Sequence, residues 1–121
     1  MIISEFVNRY ARLKHQLLLQ SGARVSPNFK KFRQSSSYKG IASDISADVK
    51  KVLATCACIE SGFATLNVDS LINEFGRGDS DFNDLVLAEL CRRKRFKLVT
   101  DDGDFKGKGI TVLTANKRLL V

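Results

Sequence analysis

The sequence predicts an α/β fold, with helices covering a parallel sheet, on three observations. Two short apolar runs, 96–100 and 110–114, have strand length and are bounded by turn residues. Three longer segments, 4–20, 44–61 and 81–95, repeat apolar residues at spacings of three and four, as helices do. Strands separated by helices build layered α/β structures. The chain of 121 residues has no repeat and no linker, so a single domain over 1–121 is expected.

Taken in order, Ser4 is the expected N-cap of the first helix and Gly22 its stop. Phe6, Tyr10, Leu13 and Leu17 form its apolar stripe, and His15, on this basic helix, reads as a surface residue. Residues 23–42 are the least regular, because Pro27 disfavours a helical residue before it. The segment FKKFR at 29–33 and Tyr38-Lys39 interleave rings with cations. Two readings fit: the rings stack bases while Lys30, Lys31 and Arg33 meet phosphates, or two Phe anchor a short helix whose lysines are solvated.

The second long helix is expected over 44–61, capped by Ser43 and stopped by Gly62, with Ile45, Val49, Val52, Leu53, Cys56 and Ile59 on one face. Residues 63–68, FATLNV, read as a strand or a short extended segment, and 71–75 as a helical turn ended by Gly76 and Gly78. The third helix carries Leu85, Leu87, Ala88, Leu90 and Cys91, with Arg92–Arg95 complementing its dipole at the C-terminal end.

Composition narrows the function classes. The net charge of +7 suits a nucleic-acid partner and equally suits a basic, solvated surface. No run of about 18 apolar residues exists, so no membrane span is expected. The start of the chain has no secretory pattern. Cys56, Cys58 and Cys91 read as buried reduced thiols, which places the protein in the cytoplasm.

The chemistry concentrates at 97–105, KLVTDDGDF, where an apolar strand runs into Asp101, Asp102 and Asp104. Ligands of open parallel sheets bind outside the carboxyl ends of strands. Glu5 and Asp84 each sit in the first turn of a helix, where acids favour the dipole, and Asp-Gly-Asp is good turn chemistry. Together, crowded carboxylates repel one another, and a hard cation such as Mg²⁺ or Mn²⁺ relieves that repulsion. No GxSxG, P-loop or GxGxxG pattern offers a competing chemistry.

At these residues the chain resembles the PIN domain, a metal-dependent nuclease family that includes many prokaryotic toxin–antitoxin toxins. DFNDLVLA at 81–88 resembles the third acidic motif, with Asp84 at the acidic position. LVTDDGDF at 98–105 resembles the Thr-x-Asp and Asp-Phe signature, and ITVLTAN at 110–116 the last strand and its exit. ISEFVNR at 3–9 resembles the helix bearing the second acid, Glu5. The resemblance implies a three-layer PIN-like fold with a central parallel sheet flanked by helices, truncated at the N-terminus. The family's first strand and first aspartate would fall before Met1.

It further implies a Mg²⁺- or Mn²⁺-dependent ribonuclease with Glu5, Asp84, Asp102 and Asp104 as catalytic acids. Asp84, Asp102 and Asp104 would be the metal ligands and Thr100 an orienting group. Single-stranded RNA would lie along Arg9, Lys30, Lys31 and Arg33. Two rival expectations stand beside it: a catalytically inactive module binding nucleic acid or protein, and a small toxin neutralised by an antitoxin protein. A sheet lacking its central strand exposes edges, so a homodimer is also expected.

Overall fold

Residues 2–120 are described by a computed structural model, and they are mostly helical. The chain divides into two compact units, Met1–Cys58 and Ile59–Val121.

The first unit contains α1 (Ile2–Gln20), α2 (Phe29–Arg33) and α3 (Ser36–Thr55). Its centre is a ring cluster. The His15 ring stacks on Phe32 with centroids 4.5 Å apart, and Phe29 and Tyr38 close round them. His15 Nε2–H donates to the Ser26 carbonyl at 2.7 Å. The expectation of a surface histidine is therefore corrected: His15 is buried, its apolar ring faces covered and one nitrogen satisfied. The α1 face is corrected too, because Ala11 and His15 are buried while Phe6, Leu13 and Leu17 are exposed.

Helix α3 begins eight residues before the expected start and ends before Cys56, and Ser4 and Ser43 lie inside helices rather than at caps. The early start has a packing cause: Tyr38 sits edge-on to Phe32 at 5.6 Å, which holds the first turn of α3 against α2. Cys56 and Cys58 are exposed and only Cys91 is buried. Burial pushes the Cys91 thiol pKa up.

The second unit contains α4 (Val68–Phe75), α5 (Phe82–Lys94), β1 (Lys97–Val99) and β2 (Thr111–Leu113), with 3₁₀ turns at Phe63–Thr65, Gly103–Phe105 and Lys117–Leu119. Strands β1 and β2 pair in parallel, Leu98 opposite Val112. The three-layer PIN-like fold with a central sheet is corrected here: among the described residues the sheet has two strands.

The segment expected as a further strand, 63–68, turns instead. Gly62 adopts φ 63°, the Thr65 hydroxyl donates to the Gly62 carbonyl at 2.8 Å, and the Asn67 side chain caps α4 by accepting from Ser70 N–H at 3.1 Å. Short polar side chains bonding nearby backbone compete directly with ladder formation. Arg93 then fastens this turn to α5, donating from Nη1 to the Thr65 carbonyl at 2.7 Å.

Helix α5 starts where Asp81 accepts from Asn83 N–H at 2.8 Å and stops at Arg95, which takes the left-handed φ of 55°. Phe96 N–H donates back to the Cys91 carbonyl at 2.9 Å, satisfying a terminal carbonyl. Two small cores flank the helix. Ala88, Cys91, Leu98 and Phe105 pack together with Leu87, Ile110 and Val112 against them. Leu71, Leu85 and Val86 form the other with Leu66 and Phe82. Among the described residues no helix is long and apolar enough to cross a membrane.

Candidate functional site

The link from β1 to β2 positions the acids. Thr100 N–H donates to the Leu113 carbonyl at 3.1 Å, continuing the strand pairing. The Thr100 hydroxyl then accepts from Asp102 N–H at 3.1 Å, and Asp102 Oδ1 accepts from Asp104 N–H at 3.0 Å. These bonds wind 103–105 into its 3₁₀ turn, and Phe105 enters the core. Sequence neighbours are thereby split: Phe105 goes inward, while Asp102 and Asp104 stay in solvent.

Asp84, half-buried in the first turn of α5, meets them. One carboxylate oxygen from each of Asp84, Asp102 and Asp104 lies within 4.8 Å of the other two. The structure thus brings together three of the four expected acids. Glu5 stands on α1 in the first unit, where Arg9 Nη2 lies 2.8 Å from its carboxylate. The donor set fits a hard divalent cation, since all three groups offer carboxylate oxygen.

Asp101 has a different task. Its Oδ1 accepts from the Thr114 hydroxyl at 2.8 Å, Ala115 N–H at 2.9 Å and Asn116 N–H at 3.2 Å, while Asn116 Nδ2 donates to the Asp101 carbonyl at 2.7 Å. This acid clasps the ends of the two strands. The Thr114 hydroxyl first, then the Ala115 and Asn116 amides, hold its carboxyl below the usual carboxylate pKa. A depressed folded pKa contributes stability at any pH above the unfolded value, about 3.9, and that contribution disappears as pH falls through the folded pKa. Urea unfolding at neutral pH is expected to show wild type more stable than Asp101→Asn. The gap is expected to shrink as pH falls below the unfolded carboxylate value and through the lower folded one, and a gap that widens in acid would refute the clasp's charge dependence.

A polar cleft of about 290 Å³ adjoins the acids. Asp104 lines it with Glu74, Asp79 and Ser80 and with the cations Arg77, Arg92, Lys106 and Lys108. Lys108 is bonded to Ser80, and Gly107 and Gly109 on either side of it both take positive φ. Residue-by-residue reading of the sequence missed this cleft. Its one signal was the Gly-Lys-Gly run, which gives a turn able to present a lysine.

The other expected contacts lie in the first unit. Lys30, Lys31 and Arg33 are exposed on α2, and Phe32 between them is fully buried. The ring-stacking reading of this segment loses to the anchored-helix reading, since Phe29, Phe32 and Tyr38 pack on one another and on His15. No protein-family model, no curated protein and no solved structure matches the chain.

Proposed function

We propose that this protein is a divalent-cation-dependent phosphodiesterase acting on single-stranded RNA, as the PIN-domain resemblance of residues 79–120 implies. The observation that carries the reading is the convergence of Asp84, Asp102 and Asp104 from two separate segments of the second unit. These three would hold Mg²⁺ or Mn²⁺, which when bound supplies charge neutralisation at phosphate and activates water for attack. The chain's own contribution is positioning. The hydroxyl of Thr100 fixes the backbone of Asp102, and Asp104 shares a cleft with Arg77, Arg92, Lys106 and Lys108, whose charges oppose those of a phosphodiester, and with Glu74 and Asp79. Glu5, ion-paired in the first unit, has no role in this reading.

Cleavage of labelled single-stranded RNA in Mn²⁺ tests it. The variant Asp84→Asn plus Asp102→Asn is expected to lose at least about 100-fold in rate, and an unchanged rate would sink the assignment. One observation favours a non-catalytic module for RNA or for an antitoxin-like protein instead. The bond from Asp104 N–H to Asp102 Oδ1 is an ordinary turn contact that gives Asp102 a structural purpose without any cation. Under that reading no Mn²⁺-dependent cleavage occurs at any concentration of the chain.

A further inference from the structure

The net charge is not spread over the molecule. The first unit, Met1–Cys58, carries ten Lys and Arg against three acids, Glu5, Asp44 and Asp48, whereas the second carries ten against ten. The whole excess of +7 therefore belongs to the first unit. Two of its three acids are occupied locally, Glu5 with Arg9 at 2.8 Å and Asp48 with Lys51 at 3.2 Å.

Helix α2 concentrates that charge. Three of its five residues are cations, all exposed, and Phe32 is the buried pin that seats it among His15, Phe29 and Tyr38. The Asn28 side chain caps the helix by accepting from Lys31 N–H at 3.0 Å. From α1, the Arg12 guanidinium lies over the Phe29 ring at 4.6 Å, adding a fourth charge beside the pin. A five-residue helix is far too short to persist alone, so the packing of Phe32 and Phe29 in the ring cluster holds α2, and its cations with it.

We infer that the first unit is a base-blind clamp for nucleic-acid backbone, with Arg12, Lys30, Lys31 and Arg33 as its phosphate contacts. Phe32 is wholly buried, and the half-buried Phe29 and Tyr38 pack edge-on or tilted against it with Arg12 over the Phe29 ring, which makes electrostatic attraction the principal binding force. Such binding is steeply salt-dependent and indifferent to sequence. The inference does not rest on the acidic group of the second unit.

The test uses the full chain in EDTA and fluorescence anisotropy with single-stranded oligouridine and oligoadenine of equal length. Affinities for the two are expected to agree within about threefold and to fall with salt at a log–log slope of about −2 to −3, near 0.7 per phosphate contact. The variant Lys30→Glu, Lys31→Glu, Arg33→Glu is expected to weaken binding at least about tenfold. Reversal of Lys97, Lys117 and Arg118 in the second unit is expected to change it by less than about threefold. Should charge reversal lower the helical circular-dichroism signal, the neutral variant Lys30→Gln, Lys31→Gln, Arg33→Gln decides in its place. A clear preference for one base, an equal loss from the second-unit reversal, or equal competition by polyglutamate would each overturn the inference. The last would mark an acidic protein as the partner. EDTA strips any cation from the acidic group, so loss of binding here and loss of cleavage there remain separate results.

Discussion

Replacing Phe105 by alanine is expected to destabilise the second unit by about 3–5 kcal/mol. The side chain is almost wholly buried and packs with Ala88, Cys91, Leu98, Ile110 and Val112. Its removal deletes the transfer free energy of a whole ring and leaves a void that short, constrained segments cannot collapse to fill. A unit of this size has a total stability on the order of 3–9 kcal/mol, so the substitution is expected to remove at least about a third of it. Urea denaturation followed by far-ultraviolet circular dichroism gives the measurement. Ile110→Val, which trims one methylene at the edge of the same core, is the graded control at about 0.5–1.5 kcal/mol. Comparable midpoints for the two variants would show that Phe105 does not organise this core.

Phe32→Ala is expected to have the same size of effect in the first unit, about 3–5 kcal/mol, by a different route. Phe32 is fully buried: His15 stacks on one side and Tyr38 meets it edge-on. Truncation unseats α2, frees the His15 ring and removes the support for the first turn of α3. Amide hydrogen exchange reads this locally. The amides of 29–33 and 36–40 are expected to exchange near the rate of unfolded chain, while Phe32→Leu keeps most of the protection. Protection at 29–33 that survives the alanine substitution would show that α2 is held by something other than its ring.

Much of the second unit was legible in the sequence because its signals are local. Asp81 announces the start of α5, the apolar residues of 85–91 give its face, and the runs round Leu98 and Val112 give the two strands. The acids at 102 and 104 and the acid at 84 were legible as a group, and the fold does gather them. What the sequence hid depends on distant partners. Asp101 looked like one more member of the acidic run, yet Thr114 and Asn116 claim it. The Thr-Ala-Asn run at 114–116 read only as the exit of a strand. The early start of α3 was hidden by serines and Gly40, poor helix formers whose cost is outweighed by Tyr38 against the rings of α2. His15 looked solvated because its neighbours in sequence are polar, and the groups that bury it come from residues 26–38. The central sheet was inferred by resemblance, and side-chain capping at 62–70 diverts the segment that might have joined it.

The turn at 103–105 joins two things usually kept apart. Asp104 and the core residue Phe105 are adjacent, and Asp102 caps the same turn. Were the proposed cation bound there, its uptake and the folding of the second unit would be thermodynamically linked: a cation binding only the folded turn adds RT ln(1 + [L]/Kd) to its stability, about 2.7 kcal/mol at a hundredfold excess over Kd. By reciprocity, whatever loosens the core lowers the apparent affinity for the ion. Under the proposed reading, the level of free divalent cation would set how much of the second unit is folded.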